Sequence, residues 1–306
     1  MGQKETGILV FAPIENDSAY SVSIGISDFT ERDAMDVTEI TIPAEYEGLP
    51  VTAIAAEAFM RCRALKNVTI PNSVKNIGKR AFSCSGLTSV TIPGSVEKFG
   101  TSVFAECYAL TDVKLLNGIT RIESSMFENC NTLSNIIIPA SVTLLNNGAF
   151  SHCAGLKSIT IPENVDHIGN GVFSGSGLEK ITVAKNNGNY KSDGNCILQI
   201  DGEFLVAGCK TSVIPNGVKC IGGGAFFDCK ELKEISIPES VIQIDECAFY
   251  DCINVTKITI PDSVVYVNEE AFYGWQKTQA LCVNEQQSQK WKKSWKKGCK
   301  AKIEYR

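Results

Sequence analysis

The stretch Leu232 to Cys252, LKEISIPESVIQIDECAFYDC, decides how this chain folds. Ile235 and Ile237 stand two apart, the side-chain period of a strand, so they face one side. Pro238 lacks an N–H and holds its predecessor extended, which ends the strand. Val241 and Ile244 form a second short extended or turn segment. Ala248, Phe249 and Cys252 are spaced for one helical turn that places an aromatic and a small side chain inward.

The pattern recurs along the chain. Ile-Pro occurs at Ile42, Ile70, Ile92, Ile138, Ile161, Ile214, Ile237 and Ile260 with the proline that follows each, so eight of the ten prolines are repeat markers. A second marker is Phe59, Phe82, Phe104, Phe127, Phe150, Phe173, Phe226, Phe249 and Phe272, spaced by 22 or 23 residues except for one gap of 53. Nine copies carry the V-x-x-I half, from Val51 and Ile54 through Val264 and Val267. Glycine follows this half at Gly78, Gly100, Gly169 and Gly222, where it permits a reversal that a Cβ would hinder. One repeat buries about seven apolar side chains at ~1.5–3 kcal/mol each. Ordering its residues costs ~1.5 kcal/mol apiece, so a lone repeat does not fold and stacking must close the deficit.

Composition narrows the class. Apolar residues make up 44% and charged residues 21% of 306, which excludes a disordered chain. No apolar run approaches the ~20 residues of a membrane span. The net charge of −5 is too mild to imply a polyanionic or polycationic partner. A five-residue apolar core, Ile8 to Ala12, is too short for a secretory h-region. A cytoplasmic setting with many free thiols is therefore expected, the alternative being a secreted or cell-surface setting with an export signal removed. Met1, Gly2 and Thr6 also fit the short, common N-myristoylation pattern.

The motif in LTSVTIPGSVEKFGTSVF (87–104) and LKEISIPESVIQIDECAFYDC resembles the BspA-like class of bacterial leucine-rich-repeat proteins over roughly residues 20–306. The resemblance implies an α/β leucine-rich-repeat solenoid: curved, strand-dominated, with a parallel sheet and short helical turns. About nine repeats of 22–23 residues are expected. It also implies surface adhesion or host-protein binding. Residues 1–48 are expected to be an N-terminal cap, 49–275 the array and 276–306 a C-terminal cap. In the N-terminal cap, Tyr20 to Ile24 reads as strand and the acidic stretch Asp28 to Asp36 as a solvated turn. At the other end, Trp291 and Trp295 share one helical face, and Cys299, Ile303 and Tyr305 form a last strand.

The long gap holds an insertion at about 184–213. Cys196 to Ile200, Asp201-Gly202 and Glu203 to Ala207 read as a β-hairpin with a tight turn, preceded by a loop at Asn186 to Asn189. It is either a structural elaboration or a projecting edge that adds to a binding surface. Cys62, Cys107, Cys130, Cys153, Cys229 and Cys252 sit three residues after a repeat phenylalanine, and Cys84 sits two after. Ser176 and Trp275 fill the slot elsewhere. The column reads as buried thiols and not as a metal or disulfide ladder, because no C-x-x-C exists and the spacing matches no zinc module.

Catalytic patterns are not found. His152 and His167 occupy outward repeat positions, and Gly222-Gly223-Gly224 is a repeat segment and not a phosphate loop. No enzyme activity, cofactor or metal is expected. The outward strand positions form two columns. One is Thr69, Thr91, Lys114, Ile137, Thr160, Thr182, Ser236 and Thr259. Its neighbour is Asn67, Ser89, Asp112, Asn135, Ser158, Lys180, Glu234 and Lys257. Threonine is also a good strand former; the functional reading is a face that binds a protein or a carbohydrate. Residues 286–306 carry a net +7, with seven lysines and one arginine against one glutamate. This segment is either a solvated cap or an anionic-surface binder (membrane or nucleic acid) acting through Lys290, Lys292, Lys293, Lys296 and Lys297. The cap is favoured, so no nucleic acid is expected as partner, nor a membrane span, and a monomer is expected.

Overall fold

The computed structural model describes residues 4–6, 8–33, 35–291 and 293–306; Met1 and Gly2 of the myristoylation pattern lie outside them, as does Lys292. The chain forms two compact units, Met1–Leu156 and Lys157–Arg306. Each is a strand-dominated parallel β-solenoid with almost no helix, and together they have about 11 turns. The turns exceed the marked sequence repeats because strands without the Ile-Pro signature extend the stack. Ala19–Ile24 runs parallel to Leu49–Ile54, and Lys302–Tyr305 runs parallel to Ala280–Val283.

In the first unit, Leu9–Ile14 and Ala19–Ile24 make an antiparallel hairpin. From it the V-x-x-I strands continue in parallel through Leu49–Ile54, Asn76–Ile77 and Lys98–Phe99. The strands of the Ile-Pro half form a separate ladder in which Ser89–Ile92, Asp112–Leu115 (followed by Leu116 in place of proline) and Asn135–Ile137 pair in register. The acidic stretch holds a short helix, Phe29–Asp33, where a solvated turn was expected. It is anchored by Arg32, which is buried and donates to the carbonyls of Ile26 and Glu57, both at 2.6 Å. Asp33 pairs with Arg61 and Arg63, and hydrogen bonding to Arg61 holds its carboxyl below the usual range.

The helical turn expected around each phenylalanine is absent. In its place is a hydrogen-bonded arc stacked on the next rung. The N–H groups of Arg80, Phe82 and Cys84 donate to the carbonyls of Thr101, Val103 and Ala105 at 3.0, 2.9 and 2.9 Å. The second unit repeats this: Cys247, Phe249 and Asp251 donate to Glu269, Ala271 and Tyr273. A helix would spend these donors on its own carbonyls and leave the neighbouring rung unbonded. Turning every second peptide toward the neighbour requires left-handed backbone on both sides of the aromatic. Arg80 and Cys84 have φ of 54° and 59°, and Cys247 and Asp251 have 57° and 52°. Such residues cost ~1–2 kcal/mol each, and the bonds between rungs offset that cost.

The glycine after the V-x-x-I half has a different role from the expected reversal. Gly78, Gly100, Gly169 and Gly222 are not among the residues with positive φ. A Cβ on Gly100 would lie 2.2 Å from the Lys79 nitrogen, so glycine serves close approach between rungs.

The core is a stack of rings. Phe59, Phe82, Phe104, Phe127 and Phe150 follow one another at centroid distances of 5.2, 5.3, 5.7 and 5.6 Å, nearly parallel. Phe226, Phe249 and Phe272 repeat the arrangement at 5.3 and 5.6 Å. Beside the rings, the six cysteines three residues after phenylalanine are buried and unpaired. Cys107, Cys130, Cys153 and Cys252 donate to the carbonyls of Phe82, Phe104, Phe127 and Phe226, each at 3.1 Å. The position therefore needs a largely apolar group with one donor. Trp275 meets the need with its Nε1, 2.9 Å from the Phe249 carbonyl. Cys84 is not in this column: buried Ser85 takes the slot, its hydroxyl 3.3 Å from the Cys107 sulfur, and Cys84 is half-exposed.

In the second unit the insertion is a three-stranded antiparallel meander, Tyr190–Asp193, Cys196–Gln199 and Phe204–Ala207, which joins the parallel sheet through Phe204–Ala207. Gly202 makes the expected tight turn with φ of 83°. The first strand, Tyr190–Asp193, was not expected from the sequence and directly follows the segment read as a loop. Asn187 fixes it by donating to the carbonyls of Pro162 and Val165 at 2.8 and 2.9 Å. Cys196, Ile197, Leu198 and Leu205 are buried, so these strands build core.

The C-terminal segment is not one helix. Glu285–Ser288 is helical and Lys293–Lys296 is a 3-10 turn. Trp291 and Trp295 are both buried and meet edge-to-face at 5.2 Å, and Trp295 meets Phe272 in the same way. Ile303 and Tyr305 lie on the last strand, Lys302–Tyr305, while Cys299 precedes it. Among the described residues no helix is long and apolar enough to cross a membrane.

Candidate ligand-binding faces

In-register parallel pairing is what turns isolated surface residues into columns. In the first unit Asn135 stands beside Asp112, and Asp112 beside Ser89; Ile137 stands beside Lys114, and Lys114 beside Thr91. Thr69 pairs with Thr41 and Asn67 with Glu39. Thr69, Thr91, Asp112, Lys114 and Asn135 are all exposed, and Ile137 is 75% exposed. One column is linked along its length: Asn67 donates to Glu39 at 3.2 Å and Ser89 to Asn67 at 3.5 Å.

Hydroxyls on this surface divide into two kinds. Thr88 and Thr111 donate to the carbonyls of Lys66 and Thr88, one rung back, at 3.3 and 3.1 Å. These serve the fold. The hydroxyls of Thr69 and Thr91 have no partner among the described residues, and neither have those of Thr160, Ser236 and Thr259 in the second unit.

In the second unit the predicted residues fall into three groups. Ser158, Thr160, Lys180 and Thr182 sit on a two-stranded ladder, with Ser158 beside Lys180 and Thr160 beside Thr182. Lys257 and Thr259 sit on another ladder, which includes Ala280–Val283 and Lys302–Tyr305. Lys257 pairs with Glu304 at 2.8 Å, a bond that raises the Lys257 pKa and lowers that of Glu304. Glu234 and Ser236 lie on a rung where the expected strand is not formed: residues 233–237 pair with no neighbour among the described residues. The alternation survives, with Ile235 and Ile237 buried and Glu234 and Ser236 exposed.

Sequence reasoning missed the outward residues of one rung. Counting back from Ile214-Pro215 places Thr211 and Val213 in the two columns, and Val213 is 69% exposed. The marker was readable, but Cys209 and Ser212 replace the usual aliphatics and hid the strand pattern. Lys210 on the same rung is clasped by Glu179 at 2.9 Å and Glu231 at 2.5 Å, which raises its pKa.

With this geometry in place, comparison with known proteins decides the family. A model of the BspA type leucine-rich repeat region (6 copies) matches residues 23–154, 83–193 and 202–302. The chain belongs to this family. No curated protein matches it. A leucine-rich cell surface protein from Faecalibacterium prausnitzii A2-165 is 25% identical, with 100% of this chain and 95% of that one covered at a TM-score of 0.64. The pneumococcal vaccine antigen PcpA is 17% identical, with 92% and 81% covered at a TM-score of 0.64. A leucine-rich-repeat protein from Eubacterium ventriosum is 22% identical, with 91% and 71% covered at 0.57. The chain is thus a BspA-type repeat scaffold.

Other chemistry-bearing residues fit within this BspA-type frame. His167 is exposed and His152 half-buried. In the triple glycine, the N–H of Gly222 donates to the Leu205 carbonyl and that of Gly224 to the Glu246 carbonyl, so two of the three amides serve the rungs. Glu246, Cys247 and Glu270 bring their donor atoms within 4.8 Å of one another. Lys297 supplies the positive charge there, 2.6 Å from Glu270, and burial pushes the Cys247 thiol up to about 11. Of the basic terminal residues, Lys290, Lys293, Lys296 and Lys297 are exposed, and Lys296 lies 5.1 Å from the Trp295 ring centre.

Proposed function

We propose that this BspA-type repeat chain is a non-catalytic scaffold that binds a protein through its outward strand columns, in an adhesion-related role. The observation that carries the reading is the set of exposed hydroxyls at Thr69, Thr91, Thr160, Ser236 and Thr259 that the fold does not use. In the first unit Thr91 stands beside exposed Lys114, and in the second Thr160 shares its strand with exposed Ser158. Protein is favoured over glycan because the columns hold no aromatic ring, among the described residues, on which a sugar could stack. The name of the Faecalibacterium neighbour, a cell surface protein, supports a surface setting, which we adopt. A membrane or nucleic-acid role for the basic tail is the weaker reading, because Trp291 and Trp295 are spent on the core.

The test is affinity capture from a surface-protein extract by the wild-type chain and by variants Thr91→Arg, Asn135→Arg and Thr160→Arg. A specific partner should lose at least ~10-fold in affinity with one of them. Retention of every captured protein by all three, or glycan-array binding that the variants abolish, would replace this reading. Binding to phosphatidylserine vesicles lost in Lys290→Glu, Lys293→Glu and Lys296→Glu would favour the tail.

A further inference from the structure

We propose that copies of this chain join head-to-tail: the last strand of one copy, Lys302–Tyr305, adds in parallel to the outer edge of the first Ile-Pro strand, Glu39–Thr41, of the next. The inference goes beyond the partner-binding reading above, does not rest on it, and replaces the expected monomer.

Two independent observations carry it. The first is a matched pair of open edges. In a parallel ladder the N–H and carbonyl of one residue point to the same neighbour, and successive residues alternate sides. Asn67 donates to the Thr38 carbonyl and Ile42 to the Thr69 carbonyl, both at 3.1 Å, so Ile40 and Ile42 face the following rung while Glu39 and Thr41 face away from it. The strand pairs with Asn67–Thr69 alone, and no hydrogen bond reaches the backbone of Glu39 or Thr41 from another described element. In the second unit, Lys302 donates to the Gln279 carbonyl and Arg306 to the Val283 carbonyl, at 2.9 and 3.0 Å. The backbone groups of Ile303 and Tyr305 therefore point away from Ala280–Val283, and no described strand lies beyond them. Their side chains show the same lack of a neighbour. Ile258 and Leu281 are buried, whereas Ile303 beside Leu281 is half-buried and Tyr305 is 54% exposed. Both edges belong to the same half of the repeat, so their phases fit. The N–H and carbonyl of Ile303 would meet the Glu39 carbonyl and the Thr41 N–H, and the N–H of Tyr305 would meet the Thr41 carbonyl.

The second observation is charge. Residues 1–48 hold ten carboxylates against Lys4 and Arg32, a net −8, while residues 286–306 carry +7. Asp28, Glu31, Asp36 and Glu39 are exposed and form no ion pair among the described residues, and the same holds for Lys290, Lys293, Lys296 and Lys300. Charge on an edge strand ordinarily keeps edges apart. Here the signs make that exclusion selective: two basic edges repel, two acidic edges repel, and only a basic edge meeting an acidic one attracts. The register that continues the inward alternation sets Ile303 beside Ile40 of the next copy and Lys302 beside its Glu39. Lys302 is exposed and paired only with Glu304 of its own strand, at 3.2 Å. The occupant of each edge is thus a second copy of the chain. The two surfaces in contact differ, so the pairing has no two-fold closure and further copies add.

The experiment is sedimentation velocity of the full chain from ~1 to ~200 µM, in ~50 and ~500 mM salt. Three variants accompany it: an acidic-tail chain with Lys293→Glu, Lys296→Glu and Lys300→Glu, a basic-cap chain with Glu31→Lys, Asp36→Lys and Glu39→Lys, and Thr41→Pro. All seven positions are exposed, and Thr41→Pro removes only an outward N–H, where an edge strand tolerates proline. Urea midpoints confirm that each variant is folded. The mass of the wild-type chain should rise with concentration past the dimer. High salt and each variant alone should weaken the association at least ~10-fold. An equimolar mixture of the acidic-tail and basic-cap chains should recover it, because each supplies the end that the other lost; a loss through misfolding would not be rescued in this way. The proposal is overturned by a wild-type chain that stays monomeric at low salt, by growth that stops at a dimer, by association unchanged in Thr41→Pro, or by a mixture that fails to recover.

Discussion

Phe127→Ala measures what the ring stack contributes. Phe127 is fully buried and flanked by Phe104 and Phe150 at 5.7 and 5.6 Å. A buried phenylalanine covers ~150–250 Å2. Cutting it to a methyl removes roughly 120 Å2 of that burial, or about 3 kcal/mol at ~25 cal/mol per Å2. The backbone on either side is held by inter-rung bonds, Phe104 N–H to the Met126 carbonyl and Phe127 N–H to the Ala149 carbonyl, both at 2.9 Å, so the hole cannot close freely. The cavity brings the total to about 3–5 kcal/mol. With a urea slope of ~3 kcal/mol/M, the midpoint should fall by about 1–1.7 M. Amide exchange should also rise locally, because a solenoid couples mainly to nearest neighbours. The arcs at Phe104, Phe127 and Phe150 should lose protection while those at Phe226 and Phe249 keep it. A loss below ~1 kcal/mol, or exchange that rises uniformly, would refute the claim that stacked rings couple adjacent rungs.

Two further outcomes follow from the polar contacts of the core. Burial pushes Cys107 and Cys153 from 9.0 up to about 12 and raises Cys130 and Cys252 well above 9.0. These thiols stay protonated in the folded chain while the unfolded chain loses protons, so stability is complete below pH ~8.5 and falls above it, approaching ~5 kcal/mol per pH unit for the four together. Urea melts at pH 8 and pH 10 in reductant check this; equal midpoints contradict it. Trp275→Phe keeps most of the volume but removes the donor to the Phe249 carbonyl. It should cost about 1–3 kcal/mol by denaturant titration, and a neutral result would mean that the carbonyl needs no partner.

The alternation of buried and exposed residues was legible because the pattern acts directly on side chains. Val90, Ile92, Ile136, Ile138, Ile235 and Ile237 are all buried as their spacing requires. Backbone hydrogen bonding was less legible. Ala248, Phe249 and Cys252 have helical spacing, yet the peptide planes around them alternate between rungs, a choice that side-chain periodicity does not encode. Its trace lay in the residues two before and two after each phenylalanine, where glycine, asparagine, aspartate and serine recur among less tolerant types. Only one position in each repeat, the buried cysteine, gave its environment away by composition, and even there Ser85 rather than Cys84 fills the slot.

The candidate faces show why outward residues are harder to read than inward ones. Inward positions repeat because each must match its neighbour in the stack, so a departure such as Trp275 is conspicuous and still satisfies the same carbonyl. Outward positions face no such constraint, and their identities drift: Thr160, Thr182, Val213, Ser236 and Thr259 occupy one column. Drift alone carries no function. What distinguishes these residues is whether the fold uses their polar atoms. Thr88 and Thr111 have the same side chain as Thr69 and Thr91 but cap carbonyls one rung away. The same reasoning applies to the backbone. Rung 233–237 keeps the inward pattern of a strand although, among the described residues, no ladder pairs with it, and that state is visible only when hydrogen bonds are followed from rung to rung. Side-chain polar groups that the fold does not use are therefore the better guide to binding on a repeat surface, and they point to the column hydroxyls.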